Sequence, residues 1–128
     1  MKTVYFDNAA TTKVLPQVVD EMAKVLNETF GNPSSTHSYG RNAKAIIEQA
    51  RKSIAKQLNV SSSEIIFTSG GTEADNLVLQ SAVRDLDVKT IITTKIEHHA
   101  VLNTVNYLQK AFDVEVIYLN LDENGQIN

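Results

Sequence analysis

Three short apolar segments recur at an even spacing in the second half of the chain, and they constrain its fold most strongly. Their centres lie near residues 66, 92 and 117, about 25 residues apart, and a helix-like segment separates each pair. This strand–helix–strand–helix–strand order predicts an α/β fold with a mostly parallel sheet and right-handed crossovers. Uniformly apolar strands are typical of a sheet that helices cover on both faces. The predicted strands are 64–68, 90–94 and 114–119, and the predicted helices between them are 72–86 and 99–112.

Two further helices are expected before this unit. Residues 16–28 form the first, because Pro16 suits the first turn of a helix and the apolar residues that follow recur with helical spacing. Turn-forming residues interrupt the pattern at 30–35, and a second helix follows, for which Thr36 or Ser38 is the expected cap. Its apolar side chains share one face: Ala43, Ile46, Ile47, Ala50, Ile54 and Leu58.

Composition excludes several classes of protein. The 128 residues have a formal net charge of −3, with 42% hydrophobic and 21% charged residues, as in soluble globular domains. No basic patch predicts nucleic-acid binding, and no apolar run approaches the roughly 18 residues that a membrane-spanning helix needs. With no cysteine, a disulfide, a thiolate metal site and a thiol nucleophile are excluded for these residues. We expect a cytoplasmic protein.

The turn Ser69-Gly70-Gly71-Thr72 lies between a predicted strand and a predicted helix. Glycines let a ligand approach the backbone, and the first amides of a helix lack partners and carry the positive end of its dipole. Gly71 and Thr72 are therefore candidates for binding an anion, most naturally a phosphate. No lysine follows the glycines at nucleotide P-loop spacing. A strand-to-helix turn that binds nothing remains the alternative.

A second candidate, Glu97-His98-His99, follows the next predicted strand. Because the carboxyl ends of parallel strands share one edge, we expect these residues near the glycine turn. A histidine there can stack on an aromatic cofactor or transfer protons. We predict no metal site, since adjacent histidines diverge and a third ligand is not evident. A plain surface pair is the alternative reading.

Two polar loops of small residues, 7–12 and 31–37, allow close approach to a ligand, although ordinary turn chemistry explains both. Together with the two candidate sites and Tyr39-Gly40-Arg41, they form five motifs in a fixed order. In this order the chain resembles the NifS/IscS-type cysteine desulfurases, which belong to the class V aminotransferase group of pyridoxal-phosphate enzymes. The resemblance runs along essentially the whole chain.

The resemblance implies a fold and a set of roles. The fold is part of the three-layer large domain of fold type I transferases, with residues 1–30 in the small domain and 31–128 in an incomplete cofactor-binding domain. Gly71 and Thr72 would hold the phosphate of pyridoxal phosphate, and His98 would stack on its ring and transfer protons. Substrate would face Asn8, Ala9, Ala10 and Asn32. His37 and Arg41 would lie near the active site and the dimer interface.

The family's activity removes sulfur from L-cysteine, giving alanine and an enzyme persulfide. In the family, the Schiff-base lysine, the aspartate that pairs with the pyridine nitrogen and the persulfide cysteine lie in later sequence. We therefore expect the 128 residues alone to be inactive and to bind pyridoxal phosphate weakly or not at all. The resemblance also implies a homodimer and sulfur-acceptor or scaffold partners. An exposed sheet edge and apolar face predict self-association of the chain.

Other functions stay open. A selenocysteine lyase or an aminotransferase of the same group would share these motifs, because the residues that decide the reaction come later. A non-catalytic remnant that acts as a binding or assembly piece is the alternative of another class.

Overall fold

The computed structural model describes residues 3–127. The chain divides into two compact units, one up to residue 65 and one from residue 66 onward, and each is described by itself. The domain boundary after residue 30, which the resemblance implies for a complete enzyme, stays a prediction. Among the described helices, none combines the length and the apolar character needed to cross a bilayer.

The first unit contains both helices predicted for it. Helix α1 spans Pro16–Glu28, with the proline in its first turn, and helix α2 spans Ser38–Leu58. α2 ends at Asn59, whose left-handed backbone (φ 55°) is one that asparagine tolerates well. The helix packs against a single 3₁₀ turn, Ser62–Glu64, which begins with a capping box between Ser61 and Glu64.

Few side chains of this unit are buried. The buried residues of α2 are small, namely Gly40, Ala43 and Ala55, and α1 has none. The apolar stripe of α1 is exposed at Val18, Val19, Met22 and Leu26. The apolar face predicted for α2 is likewise buried only at its small residue Ala43, while Ile46, Ile54 and Leu58 are exposed.

The predicted strand at 64–68 is wrong. Glu64 belongs to the 3₁₀ turn, and the residues after it form no strand, although the backbone at Ile65 is extended. An extended segment becomes a strand only when a partner accepts and donates its backbone hydrogen bonds. Within residues 3–127 the sheet has two strands rather than the three expected, and neither of them pairs with this segment.

The second unit confirms the remaining elements. Helix α3 spans Gly71–Arg84, strand β1 Thr90–Thr93, helix α4 His99–Phe112 and strand β2 Glu115–Tyr118. The two strands are parallel, as predicted, and their register places Thr90 beside Glu115 and Thr93 beside Tyr118. α4 ends at Asp113, which also adopts the left-handed backbone (φ 53°).

The core of this unit lies between the two helices and one face of the sheet. Val83 of α3, Leu108 of α4 and Val114 form its centre, and Ile91 of β1 packs against them. On the opposite face Ile92 is 62% exposed beside its register partner Ile117. The described residues of this unit therefore form two layers, and the third layer of the expected architecture is not among them.

Candidate functional site

The start of α3 leaves its first amides accessible. Gly70 is the N-cap residue with extended backbone, and no side chain in the described chain makes a capping hydrogen bond there. A Cβ built on Gly70 or Gly71 would meet no atom within 4 Å, so the space beside both residues is open. Because first-turn amides have no partner within a helix and carry its positive dipole end, this start can hold an anion.

Glu73 holds the turn that precedes α3. One of its carboxylate oxygens, Oε2, accepts hydrogen bonds from the backbone N–H and the hydroxyl of Ser69, both at 2.6 Å. The hydrogen bond from the Ser69 hydroxyl, followed by that from the Ser69 backbone, lowers the pKa of Glu73 below its ordinary value. The carboxylate is thereby kept ionised and directed back at Ser69.

The start of α4 is built differently, because a side chain caps it. His98 is the N-cap residue, and its Nδ1 accepts a hydrogen bond from the backbone N–H of Ala100 at 3.1 Å. A nitrogen that accepts carries no proton, so the neutral ring holds its proton at Nε2. The side chain of His98 is exposed, which leaves its ring faces and the Nε2–H group accessible.

The loop that leads into His98 has its own hydrogen bond. The hydroxyl of Thr94, directly after β1, donates to the Glu97 carboxylate at 3.0 Å. Thr94 is buried, so this bond connects the loop to the interior of the unit. Glu97 therefore has a structural role in the loop that carries the imidazole.

Thr72 and His98 line one open cleft of about 570 Å³ between α3 and α4, which extends along the helices to Gln80 and Tyr107. Asn76, Asn103 and Tyr107 also line it, and they give its walls amide and hydroxyl groups. Thr72 of the glycine turn therefore shares this cleft with His98 and His99, whereas Gly70 and Gly71 are not among the residues that line it. The roles of Gly71, Thr72 and His98 toward a cofactor are a separate matter and stay predictions.

A path of hydrogen bonds joins the two sides of this cleft. The Asn76 amide donates to the Thr72 carbonyl at 2.8 Å, and its oxygen accepts from the Thr104 hydroxyl at 2.7 Å. Thr104 also lies 2.8 Å from the carbonyl of Ala100, the residue whose N–H holds the His98 ring. Sequence reasoning missed Asn76, whose i+4 spacing from Thr72 was a usable signal. It also missed Thr104, and the sequence carries no signal for that residue.

Asn8, Ala9 and Ala10 lie in an exposed turn of the first unit. The carbonyl of Asp7 closes this turn by accepting from the N–H groups of Ala10 and Thr11, at 3.1 and 3.2 Å. The turn is thus a local structure, held by its own backbone. Contact of these three residues with a substrate stays a prediction.

Asn32 begins a second turn of the first unit. Its side-chain oxygen accepts from the N–H of Ser34, and its carbonyl accepts from the N–H of Ser35, each at 2.9 Å. A Cβ on Gly40 would collide with the carbonyl oxygens of Asn32 and Ser35, so only glycine fits where this loop meets α2. The exposed Asn32 therefore has a structural role, and its predicted contact with substrate stays a prediction.

His37 and Arg41 stabilise the same loop. His37 caps α2 through Nδ1, which accepts from the N–H of Gly40 at 3.4 Å, and Arg41 donates to the carbonyl of Thr36. The cap of α2 is therefore His37 rather than Thr36 or Ser38, and these contacts give His37 and Arg41 a structural role without a ligand. Their position near an active site or dimer interface remains a prediction.

The donor groups of the cleft suit an organic phosphate rather than a metal ion. The open amides at Gly71 and Thr72 and the Thr72 hydroxyl match phosphate oxygens, and the His98 ring offers a flat face to an aromatic ligand. Across residues 3–127, no group of three or more histidine, aspartate or glutamate side chains is arranged to hold a metal. The residues present therefore fit a phosphorylated ring compound.

Comparison with known proteins connects this cleft to a family. The family model for "Aminotransferase class-V" matches residues 4–128. A protein of Dictyoglomus turgidum named "Cysteine desulfurase IscS" is 45% identical over 129 residues. That alignment covers 99% of this chain and 32% of the relative, so the chain spans about a third of the relative's length.

Solved structures give the same result. A "NIFS-like protein" superposes with a TM-score of 0.89 at 44% identity, over 98% of this chain and 35% of that one. A structure titled "SspA in complex with cysteine" superposes with a TM-score of 0.87 at 37% identity, over 98% of this chain and 37% of that one. The described architecture therefore corresponds to part of these larger proteins.

Proposed function

Because the chain belongs to the class-V aminotransferase family, we propose that it forms the phosphate-binding and ring-stacking part of a pyridoxal-phosphate-dependent cysteine desulfurase. The observation that supports this most is the cleft shared by Thr72 and His98. Each residue alone fits many functions, whereas open helix amides opposite an accessible imidazole fit a phosphate attached to an aromatic ring. The names of the relatives favour the desulfurase within the family.

In this proposal the start of α3 binds the phosphate of the cofactor. The amides of Gly71 and Thr72 and the Thr72 hydroxyl donate hydrogen bonds to its oxygens, and the helix dipole adds attraction worth about 0.3–1 kcal/mol at an exposed site. Glu73 assists indirectly, because its carboxylate engages Ser69 and so keeps the turn in place.

His98 acts on the ring side of the cleft. Its imidazole stacks on the pyridine ring, and its Nε2–H can donate a proton or hydrogen bond while Nδ1 is held by the Ala100 amide. Bound pyridoxal phosphate supplies an electron sink for the bonds at the substrate Cα. Stacking and the hydrogen bond at Nδ1 together limit rotation of the imidazole and keep its proton on the cleft side.

The substrate of the complete enzyme would be L-cysteine. We propose that Asn8, Ala9, Ala10 and Asn32 face it, on the strength of their motifs. The 128 residues contain no cysteine, so a persulfide must form on a thiol outside them. A homodimeric complete enzyme and sulfur-acceptor or scaffold partners belong to the same proposal, and so does self-association of the chain, which sedimentation velocity tests directly.

The cofactor role can be tested with pyridoxine 5′-phosphate, whose alcohol group cannot condense with surface lysines. Titrated into the ¹⁵N-labelled chain, it should shift the amides of residues 70–73 and the ring signals of His98, whereas pyridoxine without phosphate should leave the amides unchanged. Shifts confined to other residues, or equal shifts with both compounds, would contradict the proposal.

Activity provides a second test. The 128-residue chain, incubated with pyridoxal phosphate and L-cysteine, should release no alanine above the level that pyridoxal phosphate and cysteine give without protein. Alanine release that increases with protein concentration would show that these residues are sufficient for desulfuration and would refute the assignment of the missing groups.

A further inference from the structure

The two candidate binding groups of the cleft lie at the starts of different helices, so something must set their separation. Thr72 belongs to α3 and His98 caps α4, and in the part of the chain that the structure describes no hydrogen bond joins the two residues. The bonds that span the gap are those of Asn76 and Thr104, which lie 28 positions apart in the chain. A shift of about 1 Å between such groups is enough to weaken a constellation of this kind severely.

We propose that Asn76 and Thr104 are positioning residues that fix the His98 imidazole relative to the phosphate-binding start of α3. The inference rests on the proposed function, since it assigns the two residues a task toward the same ligand. Neither is proposed to touch the reacting atoms.

The side-chain amide of Asn76 donates a hydrogen bond within its own helix, α3. Its Nδ2 donates to the Thr72 carbonyl one helical turn back, which orients the amide and directs its oxygen toward α4. Because this oxygen then accepts from Thr104, both hydrogen-bonding atoms of the amide are used in one defined orientation. The partly buried Asn76 is therefore held at both ends.

Thr104 lies in α4, the helix that His98 caps, and its hydroxyl is the donor of the hydrogen bond to Asn76. Thr104 is 95% buried, and its hydroxyl has a single proton, shared between the Asn76 oxygen and the Ala100 carbonyl. Ala100 in turn donates its N–H to His98 Nδ1. A buried hydroxyl that loses its acceptors destabilises the fold, so this arrangement resists displacement of either helix start.

A double-mutant cycle on the full 128-residue chain separates positioning from general stabilisation. The variants are Thr104→Val, which removes the hydroxyl at nearly constant shape, and His98→Ala, alone and combined, with binding of pyridoxine 5′-phosphate as the measurement. Thr104→Val should weaken binding about fivefold when His98 is present and less than about twofold in the His98→Ala background, as expected for coupled groups.

Several controls accompany the cycle. Thr104→Ser keeps the hydroxyl and should restore most of the affinity. Thr93→Val makes the same change at another buried threonine of this unit, outside the path, and should leave binding unchanged. Inorganic phosphate, which needs α3 alone, should bind the Thr104→Val variant as well as the parent chain. Asn76→Ala, a substitution that favours a helix, should reproduce the effect of Thr104→Val.

The outcomes are distinct. Equal losses in both His98 backgrounds, or equal loss of inorganic phosphate, would overturn the inference and leave Thr104 a packing residue. If the parent chain binds pyridoxine 5′-phosphate no better than inorganic phosphate, the proposed function fails instead. The ¹⁵N shifts of the His98 ring, measured without ligand, then decide the inference: a smaller Nε2–H population in Thr104→Val, recovered in Thr104→Ser, supports it, and unchanged shifts refute it.

Discussion

The starts of α3 and α4 differ in whether a side chain of the protein caps their first backbone amides. Both helices begin at the edge of the cleft with amides that lack partners within the helix. At α4 the His98 side chain satisfies one of these amides, whereas at α3 Gly70 has no side chain to offer, and its glycines leave open space. One start is completed by the protein, and the other is left for a ligand.

This contrast explains how two helix starts of one unit can contact different parts of one ligand. The open start supplies donors for an anion, and the capped start supplies a ring whose orientation the cap fixes. The cost of the open start is lower local stability, since a good N-cap side chain stabilises a helix by about 1 kcal/mol relative to alanine and a few tenths relative to glycine.

The largest expected effect on ligand affinity comes from a substitution that adds a capping side chain to the open start of α3. Gly70→Asp places a carboxylate at the N-cap of α3, where the extended backbone accepts any residue and a Cβ meets no atom. Phosphate binding should fall more than about a hundredfold, because like charges about 4 Å apart near a surface repel by about 4 kcal/mol. Isothermal titration with pyridoxine 5′-phosphate measures this change.

Gly70→Ser is the matched neutral control for that substitution. Its hydroxyl can also cap the helix but carries no charge, so the affinity should fall less than in Gly70→Asp. Thermal unfolding of both variants should show α3 stabilised by a few tenths of a kcal/mol. Unchanged phosphate affinity in Gly70→Asp would show that the ligand does not bind at this helix start.

A smaller effect should separate the two tasks of His98. His98→Ala removes both cap and ring, and should destabilise the unit by about 1 kcal/mol. His98→Asn keeps a good capping residue without the ring, so it should retain the stability. Both should weaken pyridoxine 5′-phosphate binding by about tenfold, the scale of lost aromatic stacking. Full affinity in His98→Asn would mean that the ring does not contact the ligand.

The smallest expected effect concerns the stability of the turn before α3 at low pH. Since hydrogen bonds from Ser69 lower the pKa of Glu73 in the folded chain, they stabilise the turn fully at pH values above the pKa of this carboxyl group in the unfolded chain. This stabilisation is lost as the pH falls through the lower, folded pKa. The Ser69 amide shift in an NMR titration should follow this loss, and Glu73→Gln should abolish the transition. A transition that persists in Glu73→Gln would assign it to another carboxyl group.

The helices were predictable because their determinants are local. Apolar spacing and Pro16 predicted α1 and α2, and similar patterns predicted α3 and α4 with bounds close to those observed. Strands β1 and β2 were also predictable, since each is a short apolar run between helices. Gly70 and Gly71 marked the open helix start for the same reason, because a missing side chain is visible in the sequence itself.

The segment at 64–68 shows what such local patterns do not predict, namely whether an extended segment pairs as a strand. Its apolar, β-branched residues favour extended backbone, which Ile65 adopts, but strand formation depends on a partner that the local sequence does not name. Asn32 shows the converse, since its turn role follows from its residue type, while a role toward a ligand does not.

What the sequence determined by itself, then, is each helix, the two strands that pair and the open start of α3, because neighbouring residues decide them. Only the tertiary structure brought Thr72 and His98 to one cleft and joined Asn76 to Thr104. The physical reason is that a hydrogen bond across 28 positions depends on how α3 packs on α4, and that packing arises from the whole core of the unit rather than from either residue.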